Sequence, residues 1–239
     1  MLNEILKKRQ LNFKDIVELQ SELNKKSDPK NPDWKKERTV IDYKLASVIE
    51  LFELVESAPW KWWKGGTTDH WNIKIEAIDM LHFLSSNISL YNNLKSEDEE
   101  KILGFLETEN ITANIFKDGS VDNPIDRNKA FSILKDIVNN EESFEMINSV
   151  MKDSGLSSNE ISAIYISKYA LNEIRWENGY ALNEYKKMKD GYTDENGVKV
   201  DGVEDNVFLK GLVDNFEKNK DMTLGELRNS IFETFKDKN

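Results

Sequence analysis

Apolar residues recur three and four positions apart along most of the chain, a spacing that is typical of amphipathic helices. The sequence has no valine-rich alternating strands, and it contains only four prolines. This pattern predicts an all-α protein, a multi-helix bundle without internal repeats. The predicted helices cover 12–26, 38–57, 70–93, 98–107, 128–138, 142–152, 158–177 and 223–236.

Two stretches depart from the helical pattern. Segment 189–206 combines three glycines with several Asp and Asn residues, which predicts a β-hairpin or a mobile loop. Segment 95–155 begins with an acidic turn and a polar stretch, and we consider it a possible helical insertion. The simplest organisation is therefore a single helical domain over 1–239, with these two variations.

The composition narrows the classes of function. The 33 basic and 44 acidic residues give a net charge of -11, which argues against a nucleic-acid partner. The chain has no apolar run of about 18 residues, so we expect no membrane span and a cytoplasmic location. Because the chain has no cysteine and two histidines, a bound metal would have oxygen ligands, which favours Mg²⁺ or Mn²⁺.

The predicted helix around IDYKLASVIELFELVE, residues 41–56, carries two acids in apolar surroundings. At about 100° per residue, its apolar side chains cover most of the circumference. Glu50 and Glu53, three positions apart, share the narrow remaining stripe and are predicted to lie side by side in largely buried surroundings. A bound cation would compensate for that repulsion. The apolar face is formed by Leu45, Val48, Ile49, Phe52 and Val55, continued by Leu51 and Leu54.

The next helix repeats the arrangement, because Glu76 and Asp79 are also three positions apart and are predicted to face inward with Ile75. Two such pairs are able to place four carboxylates around one or two divalent ions. The alternative is that the acids form a solvated face or structural ion pairs. The residues alone leave both interpretations open.

Between the two acidic helices lies APWKWWKGGTTDHW, residues 58–71, which is rich in Trp and Lys. Such a loop is able to stack a nucleobase and to bind phosphates, although tryptophans that simply close the core are an alternative. His82 follows Asp79 by about one helical turn, where it is either a core histidine or a site residue.

A second polar pattern occurs in the helix predicted over 158–177. Its start is marked by a capping box of Ser157 and Glu160, and its end by Gly179. One face of this helix offers a combination of side chains that is able to bind a polyphosphate, unless that face is merely solvated. These side chains are Lys168, Asn172 and Arg175.

Several of these motifs, in this order, resemble the dimeric dUTPases, which belong to the all-α nucleotide pyrophosphatases together with MazG-like proteins and a phage-type dCTP pyrophosphatase. The resemblance lies in LQSELN at 19–24, E-x-x-E at 50–53, W-K-W-W-K at 60–64, E-x-x-D followed by H-F at 76–83, KYALNEIRWENGY at 168–180 and GVEDN at 202–206. Segments 95–155 and 207–239 contain no comparable motif, and Trp62 departs from the family pattern.

The resemblance implies a homodimer that hydrolyses dUTP, and also dUDP, with a water attacking the α-phosphate. It places Mg²⁺ on Glu50, Glu53, Glu76 and Asp79, with Glu53, or Glu50 second, as the general base. It implies a base and sugar pocket formed by Gln20, Asn24, Trp62 or Trp63, His82 and Phe83. It assigns the phosphates to Lys61, Lys64, Lys168, Asn172, Arg175 and Tyr180, some of which come from the partner subunit.

Two alternatives remain at this point. A related enzyme that hydrolyses dCTP or another nucleotide would use the same acids, since the metal chemistry does not depend on the base. A non-catalytic helical binding protein would use them as structural ion pairs.

Overall fold

The computed structural model describes residues 2–27, 33–61, 63–91, 127–139, 144–189, 192–193, 199–200 and 202–236. Within them the chain is 75% helical with almost no sheet, which confirms the all-α prediction. The predicted helix 98–107 and the first part of the possible insertion lie outside the described residues. The helices are α1 (Leu2–Ile5), α2 (Phe13–Ser27), α3 (Trp34–Glu37), α4 (Val40–Glu56), α5 (His70–Tyr91), α6 (Arg127–Asn139), α7 (Phe144–Asp153), α8 (Ser158–Glu177), α9 (Asp205–Lys218) and α10 (Leu224–Lys236).

The chain divides into two compact units, of which the first is Gln10–Ile161. Its centre is α5, against which α4 packs along its length and which α2 and α7 also contact, while α6 packs on α4. The middle of α5 is buried on nearly all sides, with Ile75, Ile78 and Leu81 fully inaccessible. Helix α5 therefore presents its polar side chains to other helices of this unit.

Helix α4 begins at a capping box. The Thr39 hydroxyl accepts a hydrogen bond from the backbone N–H of Asp42, and the Asp42 carboxylate accepts one from the backbone N–H of Thr39 at 2.8 Å. These bonds satisfy backbone donors that a helix start leaves without partners. The helix ends at Glu56, shortly before Pro59. The cap thus fixes where α4 starts, and with it the position of Glu50.

The prediction that the apolar residues of α4 are buried over most of the circumference is wrong within this chain. The buried side contains Tyr43, Ser47, Leu51, Leu54 and Val55. A second apolar stripe on α4 faces outward, and three of its members are 74%, 61% and 50% exposed. Because α4 is apolar all round and α5 and α6 cover only part of its circumference, one apolar face stays uncovered. The exposed stripe, named here the α4 apolar face, consists of Ile41, Leu45, Ile49 and Phe52.

The second compact unit is formed by Met1–Arg9 together with Ser162–Asn239. The guanidinium of Arg9 donates hydrogen bonds to the backbone carbonyls of Phe216, Asn219 and Met222 at 2.7–2.8 Å, at the C-terminal end of α9. The N-terminal segment is also bonded to α10, because the N–H of Leu224 donates to the carbonyl of Lys8. The two ends of the chain are thereby held together.

The described residues of segment 189–206, together with Met188, form two short antiparallel strand pairs, as expected of a β-hairpin, one of the two structures predicted for this segment. Strand β1 (Met188–Lys189) pairs antiparallel with β4 (Val203–Glu204), and β2 (Tyr192–Thr193) pairs antiparallel with β3 (Lys199–Val200). Residues 188 and 204, and residues 192 and 200, lie opposite each other, so the two ladders share one register. The hairpin leads directly into α9, where the backbone N–H of Asp205 donates to the carbonyl of Lys187 at 2.9 Å.

Helix α9 is absent from the sequence-based helices. Its buried residues Leu209, Val213 and Phe216 follow the helical spacing, but Gly211 and several Asp and Asn residues lower its intrinsic helix propensity. Packing against α10 stabilises it. Among all the helices described, none is long and apolar enough to cross a membrane.

Candidate functional site

Three carboxylates from two neighbouring helices come together in the first unit. One oxygen each from Glu50 on α4 and from Glu76 and Asp79 on α5 lies within 4.8 Å of the other two. Glu76 is buried, and Glu50 and Asp79 are partly buried. The close packing of α4 on α5 brings these acids together, as the two helical patterns predict.

The crowding of these acids changes the protonation of Glu50. Burial is the largest cause, and the charges of Asp79, Glu76 and Glu53 with a hydrogen bond to Glu76 add to it, so that the pKa of Glu50 rises to about 9. Without a cation, this carboxyl is therefore protonated at neutral pH. The arrangement is stable with all three groups ionised only if a positive charge compensates for them.

Glu53 differs from the prediction that it shares buried surroundings with Glu50, because its side chain is exposed. Three residues along a helix turn the side-chain direction by about 60° from the starting position. Glu50 lies at the edge of the buried side of α4, so this rotation carries Glu53 away from α5. Glu53 still lies close enough for its charge to contribute to the raised pKa of Glu50.

The donor set of this cluster fits a hard divalent cation. All three groups are carboxylates, and oxygen ligands are those that Mg²⁺ and Mn²⁺ prefer. The elevated pKa of Glu50 provides a second argument, because it records the unfavourable energy that a cation would remove. Glu50, Glu76 and Asp79 therefore form a candidate metal site.

A closed ring of polar side chains links α2 to α5 in the same unit. The Gln20 amide N–H₂ donates to Asn24 Oδ1, and the Asn24 amide donates to Ser86 Oγ, both at 2.9 Å. Ser86 donates to the carbonyl of His82, while His82 Nδ1 and Gln20 Oε1 are 2.6 Å apart. All four residues are buried. Two amides and an imidazole in a desolvated position are groups that are able to recognise the polar edge of a base.

Aromatic side chains flank this ring. Tyr43 on α4 lies between Trp34 in α3, at 5.8 Å in an edge-on arrangement, and Phe83 in α5, at 6.4 Å between ring centroids. Burial raises the pKa of Tyr43 to about 12, although the charge of Arg38 and a hydrogen bond to Ser86 act in the opposite direction. Phe83 is partly exposed, so one of the predicted base-flanking rings is accessible.

The loop between the acidic helices lies at the surface. The Trp63 ring is 60% exposed and packs edge-on against Trp60 at 5.7 Å. Lys61 forms an ion pair with Glu56, and Lys64 is exposed. Trp60 and Trp71 are partly exposed as well, so the described tryptophans of this loop do not close the core. Trp62 lies outside the described residues.

In the second unit, Arg175 is buried and forms a two-pronged ion pair. Its Nε and Nη2 donate to Asp205 at 2.9 and 2.6 Å, and its Nη1 donates to Asn172 Oδ1 at 3.2 Å. The hydroxyl of Tyr185 donates to Asp205 at 3.0 Å. Burial opposes ionisation of Asp205, but the bonds and the charge of Arg175 outweigh it and lower the pKa of this carboxyl. Arg175 is thus fixed in position.

Lys168 is also buried, and its Nζ donates to Asn206 Oδ1 at 3.1 Å. The partly exposed Tyr180 ring lies 5.9 Å from the Arg175 guanidinium carbon. The predicted polar face of α8 is therefore real, but it contacts the start of α9 instead of being simply solvated. Sequence reasoning did not select Asp205, Asn206, Tyr185, Tyr43 or Ser86, although the GVEDN motif contains the first two.

The capping box and the stop of α8 are confirmed. Ser157 and Glu160 exchange hydrogen bonds, with 2.9 Å from the Ser157 N–H to the Glu160 carboxylate. After the last helical residue, Gly179 adopts a φ of 81°. Another residue there would be strained, and its side chain would collide with Glu184.

Comparison with known proteins connects these features. A family model described as dUTPase matches residues 12–180, which is well over half of the chain. The match covers the acid cluster, the polar ring and the polar face of α8, and it also spans segment 95–155, whereas the GVEDN motif lies beyond it. No curated protein matches the chain.

Proposed function

The chain belongs to the dUTPase family, and from this premise we propose that it is a homodimeric, Mg²⁺-dependent dUTP diphosphatase. It hydrolyses dUTP to dUMP and pyrophosphate, and dUDP to dUMP and phosphate. Membership itself indicates a nucleotide pyrophosphatase, a hydrolase of nucleotide metabolism. The observation that supports the metal-dependent reaction most directly is the convergence of Glu50, Glu76 and Asp79.

Mg²⁺, or Mn²⁺ in its place, would be held by Glu50, Glu76 and Asp79, with Glu53 as a fourth ligand. A divalent ion bound there would neutralise charge on the phosphate oxygens during hydrolysis. The three clustered carboxylates support this assignment because their repulsion, visible in the raised pKa of Glu50, disfavours an ionised cluster without a cation.

The general base is Glu53. Its carboxylate takes a proton from the water whose oxygen bonds to the α-phosphorus, while the bond from that phosphorus to the bridging oxygen breaks and pyrophosphate departs. Its exposed position at the edge of the acid cluster supports this role. Glu50 is the second choice, because a carboxyl with a pKa of about 9 holds its proton at neutral pH until a cation is bound.

The pyrimidine is bound by Gln20 and Asn24 and stacks between Phe83 and Trp62 or Trp63, while His82 contacts the deoxyribose. The buried ring of hydrogen bonds around Gln20 supports this assignment, since it fixes the direction of each amide. An oriented amide is able to distinguish uracil from cytosine, because cytosine carries an amino donor where uracil carries a carbonyl acceptor.

The phosphates are bound by basic and polar side chains that are also held by their neighbours. The guanidinium of Arg175 is held in place by Asp205 and Asn172, and this supports the role because its remaining N–H donors are already oriented and lose little entropy on binding an anion. The remaining residues of this group are Lys61, Lys64, Lys168, Asn172 and Tyr180. In the homodimer, some of them act on the nucleotide bound by the partner subunit.

The α4 apolar face supports the homodimer. Its four large side chains are exposed, and Phe131 and Val138 of α6, the helix that packs on α4, are exposed as well. An apolar surface formed by two adjacent helices is typical of a subunit interface. A second copy of this chain is the occupant that the dimeric character of the family favours.

The decisive experiment measures hydrolysis of dUTP, dUDP, dCTP and dTTP by the full chain, with Mg²⁺ and with EDTA. We expect Mg²⁺-dependent release of pyrophosphate from dUTP, and we expect Glu53→Gln to lower kcat by roughly 10²–10⁴-fold. Glu233→Gln, which changes an exposed carboxylate on α10, is the matched control.

The outcomes separate the alternatives. A preference for dCTP would retain the hydrolase and overturn the assignment of uracil. Absence of Mg²⁺-dependent turnover with every nucleotide, or a Glu53→Gln variant as active as the control, would favour a binding protein with structural acids.

A further inference from the structure

The buried ring that links α2 to α5 contains Ser86, a residue that no sequence motif selected. The side chain of Ser86 is fully inaccessible. Its oxygen accepts a hydrogen bond from the Asn24 amide at 2.9 Å, and its hydroxyl donates to the carbonyl of His82, one helical turn earlier, at 3.0 Å. Tyr43 on α4 is hydrogen-bonded to Ser86 as well. Ser86 therefore joins side chains of three helices.

The chemistry of a hydroxyl sets the direction of the bonds at Ser86. A serine hydroxyl carries one proton, and a carbonyl oxygen is able only to accept. Because Ser86 gives its proton to the carbonyl of His82, its oxygen is left to accept. Asn24 must then present its N–H₂ group to Ser86, and the oxygen of the same amide faces Gln20.

The same direction continues through Gln20 to the imidazole. Gln20 Nε2 donates to Asn24 Oδ1, which leaves Gln20 Oε1 facing His82 Nδ1 at 2.6 Å. An amide oxygen only accepts, so Nδ1 of His82 must carry the proton. In a neutral imidazole the other nitrogen, Nε2, is then the acceptor. All the bonds of the ring therefore run the same way round, and the single proton of Ser86 decides which way.

The opposite direction would recognise a different base. If Ser86 gave its proton to Asn24 instead, the oxygen and the nitrogen of both ring amides would exchange places. Uracil offers a donor at N3 and an acceptor at O4, whereas cytosine offers an acceptor at N3 and an amino donor at the neighbouring carbon. Amides that are oriented for one of these edges are oriented against the other, and a mismatched polar group in a buried site weakens binding.

We propose that Ser86 is a positioning residue for base selection. The donation of its proton to the carbonyl of His82 orients the amides of Gln20 and Asn24, and this orientation makes the pocket prefer uracil to cytosine. The inference rests on the proposed function for the place of the base, but it adds a residue and a protonation pattern that are measurable without turnover. All four side chains of the ring are buried, which shields these bonds from water.

The first test is nitrogen NMR of the full chain at about pH 8, above the usual pKa of histidine. The chain has two histidines, so the variant His70→Gln, at an exposed position, identifies the signal of His82. We expect the proton of His82 on Nδ1 in the wild type. We expect a mixture of both tautomers in Ser86→Ala, because the hydroxyl proton that decides the direction is gone. A wild-type His82 protonated on Nε2 alone would overturn the inference.

The second test measures binding of dUMP and dCMP by calorimetry, and kcat/KM for dUTP and dCTP. Ser86→Ala should lower the preference for uracil over cytosine by about tenfold, because both amides are then free to turn over. The kcat for dUTP should change less than about twofold, since the acid cluster keeps its residues. Ser85→Ala is the matched control and should keep the preference, because Ser85 is equally buried and donates to the same carbonyl at 3.0 Å.

The outcomes separate this inference from the proposed function. An unchanged preference in Ser86→Ala, an equal loss in Ser85→Ala or a wild-type preference for dCMP would overturn the role of Ser86. Thermal unfolding identifies a loss that comes from misfolding, and the tautomer of the wild type, which needs no variant of the ring, then decides. A wild type that prefers dUMP to dCMP but hydrolyses neither triphosphate would refute the proposed function alone, whereas one that binds and hydrolyses none of these nucleotides would refute both.

Discussion

The carboxyl group of Glu50 is the residue at which burial and like charge act together most strongly in the described site. Its pKa of about 9 means that the folded chain binds this proton more tightly than the unfolded chain, in which a glutamate has a pKa near 4.5. The contribution of this proton to the free energy of unfolding is fully present below the pKa of the unfolded chain. It is lost as the pH rises toward the pKa of the folded chain. The acid cluster therefore destabilises the metal-free protein between these two values.

We expect Glu50→Gln to raise the stability of the metal-free protein at neutral pH by roughly 1–3 kcal/mol, since glutamine resembles the protonated carboxyl and needs no proton. The gain should disappear near pH 4, where glutamate is protonated in both states. Urea unfolding in EDTA at a series of pH values measures this difference. Glu37→Gln, at an exposed position, should show no such pH-dependent gain. An equal gain at pH 4 and pH 8 would contradict the electrostatic explanation.

Single residues of the site were predictable to the extent that helical spacing decides their direction. Glu76 follows its helix into the interior, and Glu50 reaches the same place from α4. Glu53 was misplaced, because a rotation of about 60° matters at the edge of a buried face and the sequence did not show which face α5 would cover. Asp205 was not found as the partner of Arg175, since 30 residues and a hairpin separate them along the chain.

At the scale of elements, Arg9 joins the N-terminal segment to the C-terminal helices of the second unit. It donates to the carbonyl of Phe216 in the last turn of α9 and to those of Asn219 and Met222 beyond it, at the helix end where the dipole favours a positive charge. Its guanidinium also lies 4.1 Å from the centroid of the Phe216 ring. One side chain thus caps α9 and positions the turn into α10.

We expect Arg9→Met to lower the free energy of unfolding by about 2–4 kcal/mol, because three acceptors lose a charged donor while the apolar stem is largely retained. Urea unfolding followed by circular dichroism measures the effect. Lys7→Met should change stability by less than about 0.5 kcal/mol, since Lys7 makes an exposed pair with Glu4. Equal stability of the two variants would show that Arg9 contributes no more than a surface charge.

Elements with clear start and stop signals could be predicted from the sequence almost to the residue. Helix α8 has clear signals at both ends, namely the Ser157 cap and the left-handed Gly179 beyond its end. Helix α9 has helical spacing but no side-chain cap at its start, its interior contains Gly211, and it packs against α10. Tertiary contacts that compensate for weak propensity cannot be found by local spacing alone.

At the scale of the whole molecule, the α4 apolar face connects quaternary structure to the acid cluster. Glu50 and Glu53 lie on the same helix as this face, and Ile49 and Phe52 precede each of them by one residue. A partner subunit that packs on α4 would exclude water from one side of the acids and hold the helix in place. The sequence indicated that α4 is apolar on nearly all sides, but it could not show which part of this surface stays exposed in the single chain.

We expect the wild type to be a dimer and Leu45→Asp to dissociate it, raising the dimer Kd by at least about 100-fold, because a carboxylate would be buried without a partner at the interface. Leu45 is 61% exposed in the single chain and lies five residues before Glu50, so the substitution should leave the fold of the monomer intact. Light scattering and sedimentation measure the mass, and circular dichroism checks the helix content. Leu182→Asp, at an exposed apolar residue of the second compact unit, is the control and should remain dimeric. If nucleotide hydrolysis falls with dimer dissociation and returns when a higher protein concentration restores the dimer, contact between the subunits is required for a complete site. A wild type that is monomeric at about 100 μM, or a Leu45→Asp variant that stays dimeric, would show that α4 does not form a dimer interface.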